Sequence, residues 1–142
     1  MESADKVFLE RGVETDQLTN TKQKLLPLNE EVEASRVKRV GNSYGHVSPG
    51  LVNDTTHVLF RDLWLQPDLS PRNRSLITVA SLIANGQDRQ ISVHLNKAMD
   101  NGLTQSEAAA VVNHLAYYAG WPNAFSAMQV FKSVFEERNN RD

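Results

Sequence analysis

His94 is the residue whose type and position in this sequence best fit acid–base chemistry. It lies three residues after Ile91 and four before Ala98, so in a helix these three side chains share one face. A histidine turned toward an apolar interior loses hydration, and its neighbours move its pKa, which suits a general acid or base. The other interpretation is a core histidine that makes one structural hydrogen bond. The residue type alone leaves both interpretations open.

Aromatic and polar side chains form a second candidate group around residue 118. His114 and Tyr118 are four residues apart and Tyr117 is three from His114, so a helix would bring them together on one side. Trp121 follows directly after a glycine. Such a group either borders a ligand site or packs at a contact between helices or subunits.

Three arginines lie near predicted helix starts and are candidates for binding an anion. These are Arg72, Arg74 and Arg89. A helix start favours anions through its exposed backbone donors, and a guanidinium can bind both oxygens of a carboxylate at once. Plain surface arginines are the alternative. The four histidines stand on four different segments without a carboxylate pattern, so no metal site is predicted.

Composition excludes several classes of protein. The 142 residues contain no cysteine, which rules out disulfides, thiolate metal sites and thiol chemistry. The net charge of −2 and the lack of a basic stripe argue against nucleic-acid binding. The basic run of residues 36–39 follows Glu30, Glu31 and Glu33, a pattern that predicts a solvated helix face. No apolar run could span a membrane and no secretory signal is visible, so a cytoplasmic protein is expected.

The elements that must position these residues are predicted to be helices throughout, giving an all-α fold. Residues 1–43 form a polar extension with helices at about 2–11 and 30–40, expected to pack on the main domain or on a neighbouring subunit. Residues 44–142 form the main domain. Its helix signals include Ser70-Pro71, a capping box of Thr104 and Glu107, and a stop at Gly120.

Together these signals resemble the carboxymuconolactone decarboxylase family. The resemblance runs from about Tyr44 to Glu137. The stretches that carry it are Leu63-Trp64, Leu69 to Ala80, His94-Leu95 with Ala98, Asn101 to Thr104 with Glu107, and His114 to Pro122. It implies an alkylhydroperoxidase D-like helical domain built on antiparallel helix pairs, which assembles as a homotrimer or homohexamer with sites at subunit contacts.

The family has two branches, and the sequence departs from one of them. The redox branch, which includes alkylhydroperoxidase D, carries a C-x-x-C pair with a histidine four residues later. Counting back from His94, Gln87 and Gln90 occupy the cysteine positions, and Ser75 stands near the position of that branch's catalytic glutamate. A histidine that relays protons to a thiolate therefore has no partner here.

The other branch resembles the decarboxylase of the protocatechuate pathway. It implies loss of carbon dioxide from a small lactone or keto acid without a cofactor, with His94 as proton donor and Arg74 as carboxylate or oxyanion anchor. Tyr118 and Trp121 would be pocket walls. Two alternatives remain: a peroxidase, which the missing cysteines disfavour, and a non-catalytic oligomer that binds a small acid.

Overall fold

The computed structural model describes residues 24–140, and the regular structure in this range is entirely helical. The prediction of an all-α fold is confirmed. The helices are α1 (Glu30–Tyr44), α2 (Pro49–Asp54), a π-helical turn (Thr55–Phe60), a 3-10 turn (Leu63–Leu65), α3 (Pro71–Ala84), α4 (Asp88–Asp100), α5 (Gln105–Ala119) and α6 (Trp121–Asn139). The helix predicted at about residues 2–11 lies outside the described residues.

The chain divides into two compact units, one that ends at Pro67 and one that begins at Asp68. The first contains α1, α2 and the two short turns, and the second contains α3 to α6. The domain boundary near residue 44 stays a prediction. In residues 24–140, no helix is both long and apolar enough to cross a membrane.

Helix α1 begins as predicted and ends later than predicted. The side chain of Asn29 accepts a hydrogen bond of 3.1 Å from the backbone N–H of Val32. The helix continues past Gly41 to Tyr44, and the N–H of Gly45 then bonds to the carbonyl of Gly41 at 2.8 Å. A Cβ at residue 45 would lie only 2.6 Å from that carbonyl oxygen, so the close approach of the backbone requires glycine there.

The charged run on α1 does not form a uniformly solvated face, so that prediction was wrong for two residues. The side chains of Glu33 and Arg36 are only 4% and 11% exposed and form a two-point ion pair with distances of 2.7 and 2.8 Å. Arg36 also donates to the hydroxyl of Thr56 at 3.1 Å, and its guanidinium lies 4.2 Å from the centre of the Phe60 ring. Burial is possible because each charge meets its counter-charge and further partners.

The second unit is a four-helix bundle whose helix ends follow the predicted signals. The hydroxyl of Ser70 caps α3, and Pro71 occupies its first position. Thr104 and Glu107 form the predicted capping box at the start of α5, and these hydrogen bonds lower the pKa of Glu107. Gly120 has a φ of +87° between α5 and α6, a conformation that a glycine adopts without strain.

Polar contacts between helix ends show that α3 to α6 run up, down, up and down. Arg72 at the start of α3 pairs with Glu107 at the start of α5, so these two helices are parallel. The side chain of Asn123, near the start of α6, donates to the carbonyl of Ala84 at the end of α3 at 3.2 Å. Arg138 bonds to two residues in the second half of α4, so α4 and α6 also run parallel to each other.

One apolar core holds the bundle together. Its buried members are Val79, Ile83, Ile91, Leu95, Ala98, Leu103, Ala108, Val112, Ala124, Ala127, Phe131 and Val134. Leu103 lies between α4 and α5, and the others come from all four helices at helical spacing, so every helix turns one stripe inward. Burial of such side chains contributes about 1.5–3 kcal/mol each for the larger ones, which stabilises the frame that carries the candidate site.

Candidate active site

His94 is half-buried on α4, beside the core face of that helix. Its helical neighbours Ile91 and Ala98 are fully buried. Partial burial lowers the pKa of His94 below its usual 6.5, because the charged imidazolium loses hydration, and the positive charge of Lys97 lowers it further. The imidazole is therefore mainly neutral at neutral pH, and a protonated His94 would be a stronger acid than an ordinary histidine.

Arg74 lies in the first turns of α3, partly buried, and its guanidinium donates to the carbonyl of Leu69 at 3.4 Å. The other two candidate arginines have different surroundings. Arg72 is held in the ion pair with Glu107, and Arg89 is exposed at the start of α4. Arg72 and Arg74 are both partly buried on the helix that packs against the helix of His94, and of these two Arg72 is the one held by Glu107.

The hydroxyl of Ser75 fixes how α3 and α4 lie against each other. Ser75 is fully buried, donates to the carbonyl of Pro71 at 2.8 Å and accepts from the side-chain amide of Asn101 at 2.9 Å. Asn101 is therefore level with Ser75. His94 lies seven residues before Asn101, which at 1.5 Å per residue places it about 10 Å along the bundle from the level of Ser75 and about 12 Å from that of Arg74.

Lys97 is a residue that reasoning from the sequence missed. It lies one turn after His94 on the same side of α4, at the spacing of three residues that brings two side chains together. Its charge acts on His94, since it lowers the pKa of that residue. The signal was present in the sequence as the histidine–lysine spacing. The α3–α4 pair thus carries a histidine with two cations, Lys97 and Arg74.

Tyr118 and Trp121 lie at the junction of α5 and α6, and both are exposed. The ring of Tyr118 is 4.8 Å from that of His114, and the ring of Trp121 is 5.2 Å from that of Tyr117. The predicted clustering of aromatic residues at this helix end is therefore present.

The four predicted site residues are not brought to one place within the second unit. Asn123 joins the Tyr118–Trp121 junction to Ala84, at the far end of α3. Ala84 is nine residues from Ser75, about 13 Å along the bundle axis at 1.5 Å per residue. Arg74 and the aromatic junction therefore lie toward opposite ends of the bundle, and His94, about 10 Å along the axis from Ser75, is nearer the level of Ala84 than that of Arg74.

A groove of about 590 Å³ lies between α5 and α6. Trp121 lines it, together with Phe125 and Met128, whereas His94, Arg74 and Tyr118 do not. Within residues 24–140, no group of three or more His, Asp or Glu side chains could hold a metal ion.

Comparison with known proteins decides the family. The model of the carboxymuconolactone decarboxylase family matches residues 49–133, more than half of the chain. The chain belongs to the carboxymuconolactone decarboxylase family. The matched range contains His94, Arg74, Tyr118 and Trp121.

Two relatives in this family carry names that describe decarboxylation. The chain is 28% identical over 116 residues to the 4-carboxymuconolactone decarboxylase of Acinetobacter baylyi, with 82% of this chain and 87% of the relative covered. It is 31% identical over 75 residues to the nitrosuccinic acid decarboxylase of Metarhizium robertsii, with 53% and 52% covered. These likenesses support a decarboxylase-type role for this member of the carboxymuconolactone decarboxylase family.

Proposed function

We propose that this chain is a cofactor-independent decarboxylase of a small carboxylic acid, such as 4-carboxymuconolactone or a related lactone or keto acid. The observation that carries the proposal is the half-buried, neutral His94 with Lys97 one turn away, on a helix packed against the helix of Arg74. Two cations on this helix pair, Lys97 beside His94 and Arg74 farther along the bundle, suit an acid with more than one negative charge.

The names of the two relatives share a chemical feature that favours this substrate class. Each describes loss of a carboxylate from a small acid that carries an electron-accepting group, a lactone in one and a nitro group in the other. Decarboxylation is easiest where the electron pair of the broken carbon–carbon bond can move into such a group. The lactone is the acceptor that the first relative's name suggests for this chain.

The proposed reaction has two steps. The bond between the carboxylate carbon and the ring breaks, carbon dioxide leaves, and its electron pair moves through the unsaturated lactone to the carbonyl oxygen, which becomes an enolate. A proton from His94 then adds to carbon and restores the carbonyl. Arg74 holds a carboxylate or the enolate oxygen, and Lys97 adds positive charge where negative charge develops.

The proposed second step needs a proton on His94, yet this residue is mainly neutral in the free protein. Binding of the acid substrate resolves this conflict. Negative charges of a bound substrate favour the imidazolium, so binding loads the proton that the second step uses. The imidazolium of His94 then delivers this proton in a site from which water has been displaced.

Tyr118 and Trp121 are assigned as pocket walls at a contact between copies of the chain. Along the bundle they lie slightly farther from Arg74 than His94 does, so within one chain a small substrate held by Arg74 would have to extend past the level of His94 to meet them. A neighbouring subunit can supply them instead. The family resemblance implies a homotrimer or homohexamer with sites at subunit contacts. In such an assembly, Tyr118 and Trp121 of one subunit would border the site of its neighbour. The cytoplasmic location also stays a prediction.

The test is turnover of 4-carboxymuconolactone, followed by carbon dioxide release and by the loss of ultraviolet absorbance. Wild type should turn over, and His94→Gln should lose at least a hundredfold in kcat, within the range for a general acid. His57→Gln is the matched control, because His57 is exposed and lies in the first unit, whereas the residues assigned to the site all lie in the second. A folded His94→Gln protein with full turnover would remove His94 from the mechanism.

The same preparation distinguishes the two other functions. Thermal stabilisation by the acid without carbon dioxide release would indicate a binding protein. Peroxide consumption by this cysteine-free chain would indicate an antioxidant enzyme that does not use a thiol.

A further inference from the structure

Helix α6 carries two apolar stripes, of which one is buried in the core and the other is mostly exposed, with only Phe135 packed against the core. The first stripe consists of Ala124, Ala127, Phe131 and Val134, which are buried in the core. The second stripe lines the α5–α6 groove and consists of Trp121, Phe125, Met128, Lys132, Phe135 and Asn139. We call these six residues the outer seam.

The spacing along the outer seam is that of a helix that packs against another helix. Successive members are four, three, four, three and four residues apart. This alternation is the repeat that keeps a stripe facing a second helix over several turns. Four of the six are large and apolar. Lys132 lies in the middle, where one polar residue in such a seam selects a single register and pairing state.

The other wall of the groove leaves room for a helix. The α5 residues that line it are Gln105, Ala109, Val112, Asn113 and Ala116, and the two alanines, seven residues apart, leave this wall low at two points one above the other. A second helix can therefore approach α5 closely while its side chains meet the aromatic residues of the seam.

The exposed apolar area is enough for a stable contact between subunits. Tyr117, which contacts Trp121, is 76% exposed, and Trp121, Phe125 and Met128 are 51%, 57% and 44% exposed. At about 150–250 Å² per aromatic side chain, these four side chains expose roughly 450 Å². A standard interface buries about 800 Å² per partner, somewhat over half of it apolar, so these seam residues together with the adjoining Tyr117 supply about the apolar area that such an interface needs.

We propose that the occupant of the α5–α6 groove is the same helix, α6, of a second copy of this chain, packed antiparallel across a two-fold axis near residue 130. In this arrangement each outer seam fills the groove of the other copy, because a two-fold contact uses the same surface twice. Met128 of one copy then faces Lys132 of the other. The aliphatic part of Lys132 covers the seam, while its ammonium group reaches the rim near Glu136, its ion-pair partner at 3.8 Å.

The inference does not rest on which reaction the chain catalyses, and it sharpens the expected assembly. A two-fold contact forms a dimer or joins two trimers into a hexamer, and it has no place in an isolated trimer. Loss of the contact should therefore halve the mass of the assembly.

The first experiment measures mass in solution by light scattering or sedimentation. The double variant Phe125→Glu/Met128→Glu should have half the mass of wild type, with unchanged helical circular dichroism, since both side chains are exposed within one chain. Ser126→Glu adds charge to the same helix outside the seam and should keep the wild-type mass. A monomeric or trimeric wild type, or a double variant that keeps the full mass, would overturn the proposal.

A second experiment does not depend on the double variant folding. The chain has no cysteine, so Met128→Cys provides one thiol per chain. A short bismaleimide should link most of this variant into covalent dimers, since the two copies of residue 128 flank the axis. Ser133→Cys, exposed and outside the groove, should stay largely unlinked. Equal linking of the two variants, or none in either, would contradict the contact. Wild type that is monomeric and binds a small hydrophobic probe in the groove would assign the groove to a ligand instead.

Discussion

The side-chain amide of Asn101 donates a 2.9 Å hydrogen bond to the hydroxyl of Ser75 and so ties the end of α4 to the start of α3. This hydrogen bond links α4, which carries His94, to α3, which carries Arg74. Ser75 is fully buried, so its hydroxyl has no access to water and depends on the protein for its partners.

Ser75→Ala should lower both stability and turnover. It removes the bond from Asn101 and the bond to Pro71, and we expect a loss of about 1–2 kcal/mol in the free energy of unfolding, measured by urea denaturation. The matched control is Ser133→Ala, because Ser133 makes a similar bond to its own helix but is exposed. Equal destabilisation by the two changes would show that the link between α3 and α4 adds nothing.

Because His94 is proposed as the proton donor, we expect the activity to fall as pH rises. Burial and Lys97 lower the pKa of His94 below 6.5, so kcat/KM, which reports the free enzyme, should decrease as pH rises through a value below 6.5. The corresponding fall in kcat should occur at higher pH, because the bound substrate raises the pKa of His94. A kcat/KM that instead rises with pH through this range would make His94 a base.

The same pKa shift predicts a pH dependence of stability. The pKa of His94 is lower in the folded than in the unfolded chain, so the unfolded chain binds more protons in the interval between the two values. This contribution to stability is fully present above pH 6.5 and is lost as pH falls through 6.5 toward the folded pKa. His94→Gln should therefore lose less stability than wild type between pH 7 and pH 5, as measured by urea titrations. Identical acid dependence of the two proteins would argue against the shift.

Replacement of Arg74 should weaken substrate binding. Arg74→Ala removes a charged donor to the substrate carboxylate, and a rise in KM or a fall in kcat/KM of about 10- to 100-fold is expected, since such bonds contribute about 1.5–3 kcal/mol. Arg74→Lys should recover only part of this, because lysine cannot bind both oxygens in the same geometry. Arg89→Ala, an exposed arginine at another helix start, should leave steady-state kinetics near wild type. The assignment fails if Arg74→Ala and Arg89→Ala behave alike.

The buried ion pair of α1 should be far more sensitive than an exposed one. Glu33→Gln leaves the charge of Arg36 buried without its counter-charge, and a loss of about 3–5 kcal/mol is expected in the unfolding of the first unit. Glu30→Gln breaks the exposed pair with Arg61 and should change stability little. Chemical denaturation followed by Trp64 fluorescence would compare them. A Glu33→Gln protein as stable as wild type would mean that solvent reaches Arg36.

The helix ends of the second unit could be predicted because their causes are local. Ser70 caps α3 through the N–H of Asn73, and the capping box of Thr104 closes within three residues. The pair of Glu33 and Arg36 is also local, yet its burial was missed. Burial depends on Thr56 and Phe60, which are twenty or more residues away and lie on a π-helical turn that no pattern indicated.

The sequence by itself determined the all-α fold, the family and the absence of thiol chemistry, since caps, helical periodicity and residue identity are properties of neighbouring residues. It also singled out His94. Only the tertiary structure decided that Arg74 and the Tyr118–Trp121 junction lie toward opposite ends of the bundle, and that α6 keeps a second apolar stripe outside the core. These relations depend on how four helices pack side by side, and packing joins residues that the chain separates by dozens of positions.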